Sequence, residues 1–77
     1  MDTRERLQGV FASVFGVDAT AVGDDDSPKT IAAWDSVNHI HLILSVEAEF
    51  GVSFDPNELA ELVSFGVVLQ RLRERGA

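Results

Sequence analysis

Apolar residues recur at helical spacing in three stretches of the chain and lose that spacing between them. In the first, Leu7, Val10, Phe11, Val14 and Phe15 follow at i, i+3, i+4, i+7 and i+8, the stripe of an amphipathic helix. Asp2 and Glu5 precede it at capping-box spacing, and Gly16 follows as a C-cap. The second stretch opens at Asp35-Ser36 and runs to about Phe50, with Gly51 as its stop. It carries two apolar stripes. Leu42, Ile43, Val46 and Phe50 form one, and at 100° per residue Val37, Leu44 and Ala48 lie well round from it, with Ile40 between. A single core face needs only one of these, so the second is either buried by another helix or left as a contact surface. The third begins at Ser64 as a cap and places Phe65, Val68, Leu69 and Leu72 on one face, with Gly66 in its first turn costing up to about 1 kcal/mol relative to alanine. Arg71, Arg73 and Arg75 suit the negative end of this helix, and the Gly76-Ala77 tail is expected to fray.

Between the first two helices, from Val17 to Ala33, Gly23, the run Asp24-Asp25-Asp26 and Ser27-Pro28 mark a long loop. Loops of that length in small domains are functional or anchored, and Val17, Val22, Ile31 and Trp34 are the anchors this one offers. The three aspartates lack the alternating ligands and distal glutamate of an EF-hand, so a solvated loop is expected. After Gly51, Val52 and Phe54 read as packed loop positions. Asp55-Pro56-Asn57-Glu58 then supplies an N-cap, a proline at N1 and a glutamate at N3. The short helix it starts carries Leu59, Leu62 and Val63. The expected fold is therefore all-α: a four-helix bundle of three longer helices and one short one, with a long first loop.

At 77 residues the chain is expected to form one domain, residues 1–77, with a thin core. It has no cysteine, which excludes a disulfide framework and a thiolate zinc site. Neither a signal-peptide core nor an apolar run of membrane-spanning length is present, so a cytoplasmic protein without membrane association is expected. The net charge of −7 is uneven: no lysine or arginine occurs from Thr30 to Gln70, an interval that holds Asp35, Glu47, Glu49, Asp55, Glu58 and Glu61. Such a middle repels nucleic acid and favours partners with basic patches.

Candidate chemistry centres on Ser36. The first N–H groups of a helix lack intrahelical partners, and the helix dipole adds positive charge there, so a phosphate on that hydroxyl would be favoured. Asp35, as N-cap, would hold Ser36 at the first helical position facing solvent. The same residues also serve as a plain helix cap, and spacing alone favours that role. His39 and His41 are the only histidines, and a two-residue step puts them on different faces, unable to share a metal. His39 is expected to be semi-buried and structural, His41 to lie on the surface. A Ser-His hydrolase would need an orienting third group and an oxyanion hole, for which the domain is too small, so no intrinsic catalysis is expected.

The run Asp35-Ser36-Val37, Leu42-Ile43, Val46-Glu47-Ala48-Glu49-Phe50, continuing through Gly51-Val52-Ser53-Phe54, the acidic short helix around Asn57 to Leu62 and the last helix from Ser64, resembles acyl carrier proteins. The resemblance covers about Val10 to Leu72. It implies phosphopantetheine, delivered from coenzyme A by a phosphopantetheinyl transferase, on Ser36, with Asp35 as the cap beside it. It implies partner contacts at the exposed apolar positions Val37, Ile40 and Leu44, with His41 and Glu47 flanking them, and a monomeric carrier. The partners would be acyl-loading, acyl-transfer or synthase enzymes with basic docking patches. Val37 stands where leucine is usual, and Asn38 and His41 where the fatty-acid carriers have carboxylates. Trp34 before Asp-Ser, and a histidine three after the serine, look more like carriers dedicated to a single polyketide, natural-product or surface-polysaccharide pathway. Those handle glyceryl or substituted malonyl units, polysaccharide acyl groups or amino acids. His39 on the inner side favours a short polar cargo over a long alkyl chain. Two alternatives stand beside this: an aminoacyl or peptidyl carrier, against which the start at Met1 suggests a free-standing protein, and a helical interaction module in which Ser36 is only a cap.

Overall fold

The computed structural model describes residues 2–77. Three α-helices, α1 (Thr3–Phe15), α2 (Ser36–Phe50) and α3 (Phe65–Glu74), are joined by a long first loop and by a six-residue 3-10 helix, η2 (Pro56–Glu61). Among the described residues there is no strand, and no helix is long and apolar enough to cross a membrane. The four-helix arrangement is the expected one, except that its short member is a 3-10 helix. Its first turn carries Pro56 at the first helical position and the full reciprocal cap between Asp55 and Glu58.

The longer helices begin and end where their capping chemistry places them. The side chains of Asp2, Asp35 and Ser64 accept the amides of Glu5, Asn38 and Val67 respectively. Gly16 and Gly51 take up left-handed backbone, φ 69° and 65°, and return their N–H groups to Ala12 and Glu47. The chain end differs from expectation. Gly76 N–H donates to the Arg73 carbonyl and Ala77 N–H to that of Leu72, at 3.1 and 3.0 Å, with Gly76 at φ 78°. That is a Schellman closure. Ala77 packs against the core instead of fraying.

Leu7, Phe11 and Phe15 of α1, Leu42, Ile43 and Val46 of α2, and Phe65, Val68, Leu69 and Leu72 of α3 meet in one core. Phe11 stands edge-on to Phe15, Trp34 and Phe65 at centroid separations of 5.4, 5.3 and 5.0 Å, and Phe15 stacks on Trp34 at 5.4 Å. Aromatic pairs in these geometries contribute beyond their buried area. They concentrate packing where a domain of this size has few residues to spare.

The first loop is anchored as expected, with Val22, Ile31 and Trp34 buried and Val17 partly so. It contains a single 3-10 turn, η1 (Ala19–Ala21), capped by Asp18. The aspartate run does more than stay in solvent. The carbonyls of Asp24 and Asp26 accept the N–H groups of Gly66 and Phe65 at 3.1 and 2.9 Å, so the loop satisfies amides at the start of α3 that have no partner within the helix. The Asp26 carboxylate takes Gly23 N–H and the Thr30 hydroxyl, while that of Asp24 pairs with Arg4.

Candidate functional site

Ser36 is the first residue of α2, and its side chain is exposed. Asp35 turns outward in extended backbone and accepts the Asn38 amide at 2.8 Å, so the cap role falls to Asp35 and leaves the Ser36 hydroxyl without a hydrogen-bond partner among the described residues. Asn38 ties the turn down from the other side, its side-chain amide donating to the Ala33 carbonyl at 2.8 Å. The serine is thereby held, exposed, at a capped helix mouth.

Beside it opens a cleft of about 490 Å³, lined by Pro28, Trp34, Asp35, Ser36, His39, Leu59, Ala60, Leu62 and Val63. Its far wall is η2 and the link that follows. Leu62 is fully buried beneath, whereas Val63 is 55% exposed at the rim. An open, largely apolar groove next to an unpartnered hydroxyl on a helix N-terminus fits a phosphate-linked arm: the helix end favours the phosphate, and the groove can shelter a flexible chain.

The second stripe of α2 is uncovered. Val37, Ile40 and Leu44 are 63, 55 and 58% exposed, and His41 is exposed next to them. Glu47 is half-buried and accepts the Phe54 N–H at 2.8 Å, so one of its oxygens serves the loop after α2. This apolar strip runs along the helix away from Ser36.

His39 is half-buried, as expected, but its surroundings are more specific than the sequence suggests. Its Nδ1 accepts the Trp34 indole N–H at 2.8 Å, and its Nε2–H reaches the Leu59 carbonyl at 2.8 Å. The ring lies stacked on the indole at 6.0 Å. With an indole N–H able only to donate and a carbonyl able only to accept, a single neutral tautomer satisfies both. The histidine ties α2 to η2. Neither the Trp34–His39 bond nor the backbone carbonyl of Leu59 was signalled by the sequence, which implied only a semi-buried His39.

The acidic middle is also put to uses its sequence does not reveal. Glu49 pairs with Arg6 of α1, whose guanidinium also covers the Phe50 ring at 4.5 Å. Glu58 receives both Arg71 and Arg75, and Glu61 receives Arg71. Arg71 and Arg75, expected only to complement the end of α3, thus reach across to η2. Asp35, Asp55 and Glu47 accept backbone amides. All six carboxylates of that interval have a hydrogen-bond or ion-pair partner within the molecule. The Asp55 N–H first, and then the two guanidiniums, hold the Glu58 carboxyl below its ordinary range; Arg71, between Glu61 and Glu58, is shifted upward.

No group of three histidine, aspartate or glutamate side chains among the described residues is placed to hold a metal ion. Compared with known proteins, residues 5–72 match the family described as the phosphopantetheine attachment site, a span that takes in most of α1, the first loop, α2, η2 and most of α3.

Proposed function

The chain belongs to the phosphopantetheine attachment site family and so is a carrier for that covalent arm; we propose that the arm is joined through Ser36 and that residues 1–77 are one acyl carrier domain serving a single dedicated pathway. The observation that supports this most is the exposed, unpartnered hydroxyl of Ser36 at the first position of α2, next to an apolar cleft. Family membership sets aside the reading of a plain interaction module.

This chain's own residues do four things in that scheme. Asp35 fixes the first turn, so that a transferase meets Ser36 in one orientation. The amides at the start of α2 and the helix dipole favour the phosphodiester formed when the serine oxygen displaces adenosine 3′,5′-bisphosphate from coenzyme A. Val37, Ile40 and Leu44, flanked by His41 and Glu47, offer partner enzymes an apolar strip to dock on. Asp35 keeps negative charge at the rim, where a basic patch would meet it. When attached, the arm supplies a terminal thiol that holds the cargo as a thioester. Its flexibility raises the cargo's effective concentration at a docked enzyme. Nothing in the chain requires it to catalyse a step itself. The cytoplasm, where coenzyme A is available, is the compartment this reading implies.

Intact mass before and after incubation with coenzyme A and a broad-specificity phosphopantetheinyl transferase tests the attachment point. The wild type gains one phosphopantetheine and Ser36→Ala gains none. A gain that persists in the alanine variant would move the attachment to another residue. Supplying acyl and aminoacyl thioesters in turn then separates an acyl carrier from an aminoacyl or peptidyl one.

A further inference from the structure

We propose that Trp34, His39 and the Leu59 carbonyl form a closed bar across the seam between α2 and η2, which keeps cargo in the open cleft and makes the carrier selective for short units over long alkyl chains. The inference rests on attachment at Ser36. Of the grooves on the molecule, the one lined by Ser36 lies between α2 and η2, so a chain entering the core from the serine has to part those two elements.

His39 stands across that path. Its ring accepts from the buried indole of Trp34, itself 3% exposed, and reaches the carbonyl of Leu59, with both heavy-atom separations 2.8 Å. Parting α2 from η2 would break the His39–Leu59 bond and leave two groups unpaired, an imidazole N–H and a backbone acceptor, while Trp34 moves with α2 and keeps the ring aimed across the seam. Unmet polar groups cost more than the lost contact alone suggests. Behind the bar, Trp34 is packed edge-on to Phe11 and stacked on Phe15, and space for an alkyl chain there requires moving rings that are already in contact. Along its other edge η2 is held by Arg71 and Arg75 on Glu58, so it is clamped on both sides and cannot swing freely away. An acyl unit a few atoms long needs none of this to change. A long chain must either remain exposed to water or break the bar.

Trp34 is the sole tryptophan, so its indole N–H resonance reports the bar directly. The carrier is loaded with acetyl- or octanoyl-phosphopantetheine from the coenzyme A thioesters, and intact mass confirms each load. Failure to load Ser36 refutes the attachment reading, whereas loading followed by the spectra below judges the bar. In the wild type, the indole N–H and the Leu62 and Phe65 amide resonances are expected to coincide in the acetyl and octanoyl forms, and the two thioesters to hydrolyse at equal rates. In His39→Leu the octanoyl form is expected to shift those resonances and to hydrolyse about threefold more slowly, as for a chain sheltered for most of the time. His39→Gln, whose amide can both donate to Leu59 and accept from Trp34, is expected to restore the wild-type pattern. Should His39→Leu fail to fold, Trp34→Phe removes the indole donor and keeps a ring, with the core amides and the hydrolysis rates as readouts. The bar is overturned if octanoyl moves the core resonances of the wild type, and equally if folded bar variants respond to octanoyl no more than the wild type does.

Discussion

A methyl group added at Gly66 would lie 3.0 Å from the Asp24 carbonyl oxygen and 3.3 Å from the Asp24 Cβ. That carbonyl cannot easily retreat, because it already accepts the Gly66 N–H at 3.1 Å. Helix propensity by itself forecasts that Gly66→Ala gains up to about 1 kcal/mol. The contact reverses the sign, and a loss of about 1 kcal/mol is expected, at the low end of overpacking costs. Gly9, inside α1, has nothing within 4 Å of its would-be Cβ, so Gly9→Ala is expected to gain about 0.5–1 kcal/mol. Thermal unfolding followed by circular dichroism separates the two, since 1 kcal/mol moves the midpoint of a domain this size by about 4–8 °C. Two stabilised variants would show that the first loop yields at the start of α3. Residue scale is also where His39 acts: two hydrogen bonds on one ring connect the turn before α2 to η2.

Among the elements, η2 depends most on polar fastenings. Its own residues bury little, none of them fully, and it is a 3-10 helix, whose hydrogen-bond geometry is poorer than that of an α-helix. Asp55 and Glu58 close its first turn, and Arg71 and Arg75 bind Glu58 from α3, with Arg75 also lying over the Phe54 ring at 4.7 Å. The Glu58 carboxyl sits below its ordinary value of 4.5, chiefly through the Asp55 N–H and then the arginines. Asp18, through Thr20, and Asp26, through the Gly23 N–H and Thr30, sit below 3.8. In each case the folded value is below the unfolded one, so the stabilisation is whole above the ordinary value and is lost as the pH falls through the depressed one. Unfolding midpoints are therefore expected to hold above pH 4.5 and to drop below it. Glu58→Gln should lower the midpoint on the plateau and flatten the acid limb, because a neutral amide has no such proton to take up. An acid limb of unchanged steepness in Glu58→Gln would mean that the clamp contributes nothing to it. Amide exchange at Leu62 should quicken in the same variant.

Across the whole molecule, apolar surface and charge are distributed differently from what a count of residues suggests. The carboxylates of the middle are spent on the protein's own arginines and amides, while Val37, Ile40 and Leu44 are left open with Val63 on the far side of the cleft. Docking is therefore expected to depend on the apolar strip. Ile40→Asp or Leu44→Asp should leave the unfolding free energy within about 0.5 kcal/mol, as for surface substitutions generally. Each should slow transferase modification by about tenfold, the loss of one moderate contact at an interface. Ile43→Asp, on the buried side at 4% exposure, is expected to unfold the domain. Initial rates of mass gain, measured beside melting curves, check all three. Equal rates for the wild type and the strip variants would move docking to another face.

The sequence by itself determined where the helices start and where α1 and α2 end, because capping and periodicity are local. Asp35 and Gly51 bound α2, Ser64 opens α3, and the Asp55-Pro56-Asn57-Glu58 run opens η2, each satisfying amides or carbonyls within a few residues of itself. It also determined which residues of each helix form the core and that α2 has a second apolar face. That η2 would be a 3-10 helix, and that the terminal glycine would close α3 instead of fraying, depended on small differences in hydrogen-bond register that composition does not encode. Whether the second face of α2 would be covered was undecidable from the chain alone, since burial depends on where the other helices pack. The same holds for the destinations of Arg6, Arg71 and Arg75, the loop carbonyls that meet Gly66 and Phe65, and the Leu59 carbonyl that His39 reaches. Each joins groups far apart in sequence, and long side chains and backbone acceptors leave no periodic signal. Tertiary packing alone chose their partners, and with them the walls of the cleft beside Ser36.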